Sequence, residues 1–537
     1  MQRIHSHSKS SIYILLSILV GASVLRLYAI DQPFIDAFSW RQSSTAMMSE
    51  NFYRKNWNIF YPEVNWNGAG PSYQGREFQT VTYIAALFYV VLGQQDWIGR
   101  SVSIAFGLWG IFALYQLVHC VWDEPRALAS AAVMALLPGN IFIDRSFLPD
   151  PAMVALVTTS TWLLVRHFQC DRFFDLVLAT LVGAWGFLTK LPGLVIGLPM
   201  LYVILSALHH QKWYPKKLKS VLIASFLVMA PVIAYYLWAL HLSLSYPPYH
   251  FAGGGNWVWD HGLTTWLQED YYLPKLIKHI QGWLWTPPAT VLIILGLLIP
   301  IPCRSMFGAI EKPILLFHGW MAAAILFYLV GAREIVDNPW NLHLVNPAAA
   351  ALAGHALVSL STFLGQVLSR LMKFSGVART LTSRVLALLL PITFLLCIGF
   401  SGRTRLAYMY YPYAEQGYQL GKEMQRFSQA DELVMTIAND LGDPVAIYYS
   451  QRRGWVFPPP WEGISWGNQE ISDDDAAIQL FDELRHQKVS LLGIVGDRKV
   501  ELRQNNTKFM THVEQHSDLV EETEAVLIYR VYPPNSQ

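Results

Sequence analysis

The chain has 537 residues, 53% of them hydrophobic and 14% charged, with a formal net charge of +1. A soluble chain carries about 25% charged residues, so this one has too little charge to cover a water-exposed surface, and its surplus apolar residues must face lipid. A balance so close to neutral gives no footing for nucleic-acid binding, and the 20 Trp and 26 Tyr suit a protein with much membrane interface, where amphipathic rings settle.

Apolar runs long enough to cross a bilayer, about 20 residues each, are predicted at 11–30, 99–121, 126–143, 151–168, 173–189, 192–208, 219–240, 286–303, 313–332, 342–366 and 384–401. The first is too long for the apolar part of a signal peptide and lacks a small-x-small cleavage site, so it reads as an uncleaved anchor. One further stretch, 78–93, is short and flanked by loop-like sequence. Lys and Arg accumulate in cytoplasmic loops. If 78–93 does not cross, one side collects Arg3 and Lys9, Arg126, Arg166 and Arg172, Lys212, Lys216, Lys217 and Lys219, Arg304 and Lys312, and Arg370, Lys373, Arg379 and Arg384. If it crosses, the lysine-rich loop falls outside. The stretch is therefore read as a juxtamembrane or re-entrant helix. The predicted fold class is a mainly α, polytopic membrane protein of about eleven spans, N-terminus cytoplasmic, with a C-terminal soluble α/β domain outside. The domain boundary is placed between 402 and 403.

With this topology the chemistry-bearing residues gather on the outer side. Asp36 follows the first span in Phe34-Ile35-Asp36-Ala37-Phe38-Ser39-Trp40-Arg41-Gln42. The next segment reads as a helix lying in the interface, with Trp40, Met47, Met48 and Phe52 as an apolar stripe and Arg41, Glu50, Arg54 and Lys55 around it. Asp36 also fits a helix cap. Glu77, before the 78–93 helix, fits either a second carboxylate of the same cleft or a partner of that helix's dipole. Arg145 and Asp150 share a compact turn in which Pro149 and Pro151 bracket the aspartate and restrict its backbone. Lys190, Arg333 and His343 lie at outer turns where positive charge is uncommon. They suit a lipid phosphate, or else snorkelling or pairing, as of Arg333 with Glu334 or Asp337. Lys275, Lys278 and His279 lie on an expected interfacial helix near 264–281, after the hinge-like Gly253-Gly254-Gly255-Asn256-Trp257. Cys120, Cys170, Cys303 and Cys397 have no metal-ligand spacing, so neither a disulfide framework nor a thiolate site is expected.

The polar tail from 403 onward shows β-rich stretches at Leu433–Ala438, Val445–Tyr449, Val489–Val495 and Ala525–Tyr532. It also shows a helical stretch over Asp474–Gln487 with Ala477, Leu480, Phe481 and Leu484 on one face. It has no phosphate-binding glycine loop and no nucleophile elbow, and reads as a lid or acceptor-docking domain.

Taken together, Asp36 with Trp40-Arg41-Gln42, Glu77-Phe78-Gln79, Arg100, Arg145 with Pro149-Asp150, Thr189-Lys190 and His343 with Asn346-Pro347 resemble the GT-C superfamily of membrane glycosyltransferases. The resemblance is to the bacterial relatives of protein O-mannosyltransferases and lipid A aminoarabinose transferases (glycosyltransferase family 39-like), over about residues 1–400. It implies a sugar donor on a polyprenyl phosphate, a lipid, glycan or protein acceptor, and transfer at the outer face of a bacterial cytoplasmic membrane. It implies Asp36 as general base, inversion at the anomeric carbon, and Arg333, His343 and Lys190 (with Lys275 and Lys278 behind them) as the cations facing the leaving phosphate. Trp40, Arg41 and Arg145 would bind substrate, and Glu77 and Asp150 would bind hydroxyls or orient Asp36. Many members carry an acidic pair where this chain has Asp36-Ala37. A lone carboxylate holds a divalent ion poorly, so no metal or other cofactor is expected to be required, although Glu77 or Asp150 could restore a metal site.

Three other readings compete. A lipid or sugar transporter or flippase would place its ionisable residues near the midplane and often shows repeated halves; no internal repeat is found. An oligosaccharide ligase or polymerase would share the topology but typically has a very long late outer loop. A purely structural membrane protein leaves the acidic loop motifs unexplained.

Overall fold

In the computed structural model the described residues are 9–210, 215–249, 272–301, 313–371, 376–438, 442–459 and 473–534, with isolated positions at 259, 262, 264, 266 and 471. Helices dominate. In chain order they are α1 (Lys9–Leu27), α2 (Ser39–Arg54), α3 (Thr80–Leu92), α4 (Asp96–Val121), α5 (Glu124–Leu136), α6 (Pro138–Arg145), α7 (Asp150–Cys170), α8 (Phe173–Thr189), α9 (Gly197–His210) and α10 (Pro215–Ser245). They continue as α11 (Tyr272–His279), α12 (Pro287–Leu298), α13 (Leu316–Asp337), α14 (Asn346–Leu371), α15 (Gly376–Met409), α16 (Glu415–Phe427), α17 (Val445–Ser450), α18 (Asp474–His486), α19 (Gly496–Asn505) and α20 (Thr507–Gln515). Short 3₁₀ turns at Leu191–Ile196 and Pro339–Val345 lead into α9 and α14. The glycine hinge at 253–255 lies outside the described residues.

The chain divides into two compact units. The first takes in 1–30, 100–235 and 253–409; the second takes in 31–99, 236–252 and 410–537. This partition differs from a cut at 402/403, which falls inside α15, because residues 31–99 fold with the tail.

The first unit is a helical bundle. Local chemistry sets its helix starts: the Asp123 carboxylate accepts the Arg126 N–H at the head of α5, and the Thr286 hydroxyl accepts the Ala289 N–H at the head of α12, each followed by proline. Six helices among the described residues are long and apolar enough to cross a membrane, or eight if two bent pairs each count as one span. The expected eleven are not confirmed. The stretch 126–143 is not a straight span, because Pro138 separates α5 from α6 with a 64° bend. The one at 286–303 is half of a pair bent by 110° against Tyr272–Leu284. The helix α7 is almost wholly buried and carries Thr158, Thr159, Ser160 and Thr161, and the Ser160 hydroxyl donates to the Ala179 carbonyl of α8 at 2.8 Å. By contrast α1 and α10 keep only 22% of their apolar windows buried, exposing Leu16, Val20 and Val24, and Leu222, Phe226 and Leu237. Side chains of that kind suit lipid contact.

The second unit is built on a five-stranded sheet in the order β2 (Arg453–Val456), β1 (Leu433–Ile437), β3 (Val489–Val495), β5 (Val526–Val531), β4 (Ser517–Glu522). The first three strands are parallel, and β5 is antiparallel to both its neighbours. Met435, Leu492, Ile494, Leu527 and Tyr529 form one core with Phe481 and Leu484 of α18 and Phe509 of α20. The α18 face follows the period read from the sequence. Val445–Tyr449, expected as a strand, is instead the helix α17, entered through Pro444 after the Asp443 carboxylate has accepted the Val445 N–H at 2.9 Å. Its residues are all buried, and a short apolar run buried on every side has no period to separate strand from helix.

The open edge of β2 is covered by residues 65–68. Gly68 N–H donates to the Gly454 carbonyl at 2.7 Å, Gly454 N–H to Asn65 at 3.0 Å, and Val456 N–H to Trp66 at 3.3 Å, so residues 65–68 act as an added strand. Arg453 reinforces the seam by pairing with Glu63 and donating to the Gly68 carbonyl. Gly68 adopts φ +104°, and a Cβ there would lie 3.0 Å from the Trp455 indole. Backbone conformation and space both require glycine. Gly68→Ala is expected to destabilise the protein by about 1–3 kcal/mol, read as a lower melting temperature of the full chain in nanodiscs.

Candidate functional site

Asp36 lies in the second unit, on an irregular segment that leads into α2. Its side chain is fully buried, and its Oδ1 accepts from Gln42 Nε2 at 2.7 Å. It is not the cap of α2. That position belongs to Phe38, which makes no side-chain cap bond and holds φ +64°. A bulky residue is rarely left-handed, so this turn is strained. The helix α2 exists where the sequence placed it, but Ser39 and all of 41–52 are buried. It is enclosed, and Arg41 and Glu50 are interior residues rather than a solvated rim; Trp40 is half-buried.

Glu77 is the counterion of Arg41: both carboxylate oxygens lie 2.6 Å from Arg41 Nη2. It precedes the first turn of α3, whose cap is Gln79. Successive residues of α2 therefore grip two carboxylates, Gln42 on Asp36 and Arg41 on Glu77. Arg41 Nη1 is buried without a hydrogen-bond partner, which leaves one guanidinium donor for an oxygen-rich ligand.

Further along the same unit, Glu50 faces Asp96. Burial raises the Glu50 carboxyl above its ordinary range, with Arg54 pulling the other way from 3.2 Å and Asp96 adding to the rise. Asp96, in the first turn of α4, accepts from Tyr448 at 2.8 Å and Tyr449 at 2.6 Å. Burial first, and the Asp96 charge second, push the Tyr448 phenol well up, so it stays a neutral donor.

The other predicted residues belong to the first unit. Asp150 opens α7, and its Oδ1 lies 2.7 Å from Lys190 Nζ, which also donates to Asn341 Oδ1 at 2.8 Å. Asp150 Oδ2 is buried without a partner. Arg145 ends α6 and donates to the Tyr28 carbonyl at 3.1 Å and to that of Ala29, fastening the turn after α1. His343 lies in the 3₁₀ turn before α14. Its Nδ1 faces Asn346 Nδ2 at 3.2 Å, and its Nε2 stands 3.2 Å from Asp144 Oδ1, within ion-pair reach though off a hydrogen-bond line. An Nδ1 that accepts from the Asn346 amide leaves the proton on Nε2, toward the carboxylate. Arg333 is on α13, but its side chain is outside those described, as are those of Glu334 and Asp337. Lys275 and Lys278 are on α11, also in the first unit.

Sequence reasoning overlooked Asp144 and Arg26. Arg26 Nε and Nη2 donate to Asp144 Oδ2 at 2.9 and 2.8 Å, fully buried. The signal was present, since an arginine inside an apolar span calls for a partner by default. Gly107 lets α4 pass over that pair: a Cβ there would sit 2.5 Å from Asp144 Cγ.

Comparison with known proteins agrees with this architecture. The family model of dolichyl-phosphate-mannose-protein mannosyltransferases matches residues 80–238. No curated protein sequence matches the chain significantly. Among solved structures, ArnT from Cupriavidus metallidurans in the apo state is similar with a TM-score of 0.60 at 12% identity, covering 97% of this chain and 98% of that one. ArnT bound to undecaprenyl phosphate gives 0.57 at the same identity and coverage. The archaeal oligosaccharyltransferase AglB from Archaeoglobus fulgidus, in complex with an inhibitory peptide and a dolichol-phosphate, gives 0.57 at 12% identity, covering 99% of this chain and 75% of that one. Likeness at this identity is likeness of fold: the chain shares the fold of ArnT and AglB.

Two measurements check the electrostatics. Because the folded Glu50 carboxyl is raised above its unfolded value, its contribution to stability is fully present below the ordinary glutamate range and is lost as pH rises through the folded value. Glu50→Gln should gain melting temperature relative to wild type as pH increases from about 4 to 8; a gap independent of pH would count against the burial effect. Lys190→Met leaves Asp150 buried and unpaired and should cost about 3–5 kcal/mol, with much of the loss recovered in Lys190→Met/Asp150→Asn.

Proposed function

We propose that this chain is a membrane glycosyltransferase that moves a sugar from a polyprenyl-phosphate donor to an acceptor hydroxyl at the extracytoplasmic face of the cytoplasmic membrane, with Asp36 as general base. The observation that carries the reading is Asp36 itself. It is a fully buried carboxylate oriented by Gln42, just after the first long apolar helix, in a chain with the fold of a protein solved with undecaprenyl phosphate bound.

In this reading the acceptor oxygen bonds to the anomeric carbon as its proton passes to Asp36. The bond from that carbon to the phosphate oxygen breaks on the opposite side, giving inversion, and its electron pair leaves with the polyprenyl phosphate. Charge grows on the leaving phosphate, and fixed donors and cations aimed there lower the barrier. Arg41, with a donor to spare, joins His343, Lys190 and Arg333 as candidates for that task. Lys190 faces Asp150 and would meet an anion as part of a neutralised pair rather than as an isolated cation, whereas His343, with its proton on Nε2, would act as a neutral donor. The proposal assigns no metal, because the acidic position beside Asp36 is Ala37.

Removing a general base typically costs about 10²–10⁴-fold. Asp36→Asn in the full chain should therefore release undecaprenyl phosphate from a panel of undecaprenyl-phosphoryl hexoses at a rate lower by about that factor, while still binding undecaprenyl phosphate. Near-wild-type turnover would remove Asp36 as base.

A further inference from the structure

The segment bearing Asp36 has no helix or strand to hold it, and it contains the strained turn at Phe38. Strain of this kind persists only where the surroundings over-determine it. The surroundings come from the far end of the chain. Gln32 Nε2 donates to the Tyr410 carbonyl at 3.2 Å, Ala414 N–H donates to the Ile35 carbonyl at 2.9 Å, and Phe34 N–H donates to the Tyr449 hydroxyl at 2.6 Å. Of these, only the last uses a side chain from the tail.

We propose that Tyr449, on α17 of the C-terminal domain, is a positioning residue for the Asp36 carboxylate, acting through the Phe34 amide and braced by Asp96. The inference rests on Asp36 being the base. The phenol is used in both directions: it accepts from Phe34 and donates to Asp96 Oδ2 at 2.6 Å. Its ring cannot drift, because it packs edge-on to Tyr418 and Tyr448 with centroids 4.7 and 4.8 Å away, inside a wholly buried helix. Asp96 is held in turn by Tyr448 on its other oxygen and sits where the α4 N-terminus favours negative charge. The result is a fixed hydrogen-bond relay, from the start of α4 through α17 to the backbone two residues before the carboxylate. Through it the C-terminal domain contributes to catalysis without touching substrate.

Tyr449→Phe deletes only the hydroxyl. A buried N–H then loses its acceptor, and the Asp36 segment loses its side-chain brace. Displacement by about 1 Å costs about 10²-fold in a positioned reaction, so kcat should fall about ten- to a hundred-fold. The Kd for undecaprenyl phosphate should change by less than about two-fold. Turnover is read as undecaprenyl phosphate released from undecaprenyl-phosphoryl hexoses by the full chain in nanodiscs. In the Asp36→Asn background the same change should cost nothing further, since its effect runs through that carboxylate. Tyr448→Phe removes the hydroxyl on the other Asp96 oxygen and keeps the Phe34 acceptor; it serves as the stability control and should lower kcat far less. Should Tyr449→Phe not accumulate, Asp96→Asn reads the same relay. Wild-type kcat in Tyr449→Phe, a loss that persists undiminished in Asp36→Asn, or equal losses in the two tyrosine variants that follow their melting temperatures would each overturn the proposal. If Asp36→Asn itself turns over normally, the base assignment falls. If it is inactive while Tyr449→Phe is normal, only the positioning role falls.

Discussion

A charge taken out of water has to meet its opposite, because the unpaired ion would cost several kcal/mol even after relaxation. Three of the contacts described above meet this requirement in pairs: Arg26 with Asp144, Lys190 with Asp150, Arg41 with Glu77. Each pair joins segments that the chain itself does not bring together. Arg26 fixes α1 against α6, Lys190 fixes the end of α8 against the start of α7, and Arg41 fixes α2 against the approach to α3. Hydrophobic packing alone lets apolar helices slide and rotate, whereas an ion pair in a low-dielectric interior has one geometry.

Much of this was legible in the sequence where a period or a local rule applies. The amphipathic spacing of Ala477, Leu480, Phe481 and Leu484 located α18, and the apolar run at 151–168 located α7. Asp36 stood out by its place after the first span. What the sequence did not reveal is long-range. The partnership of Arg41 with Glu77 depends on how two helices meet, and Asp144 hid inside an apolar window that looked like a straight span until Pro138 bent it. Val445–Tyr449 failed for a physical reason: burial on all sides erases the alternation by which strands are recognised.

The two compact units also differ from the sequence-drawn domains for a reason visible in particular residues. An edge strand exposes unsatisfied backbone groups and invites pairing. Here β2 finds its neighbour in residues 65–68, and Arg453 adds a salt bridge and carbonyl contacts along the same seam. The tail, which gave little family signal of its own, is thus the scaffold on which residues 31–99 are folded.

That seam joins positions 385 residues apart, since Arg453 reaches back to Gly68. A nascent chain makes residues 65–68 early and their partner strand β2 only after most of the helices have been made. For most of synthesis the segment 31–99 has no template, and loop closure over so long a separation is slow to nucleate. The second unit is therefore closed late, once β2 has been made. The strand β2 supplies the missing edge, so a chain cut short before Arg453 lacks the backbone against which residues 65–68 would order.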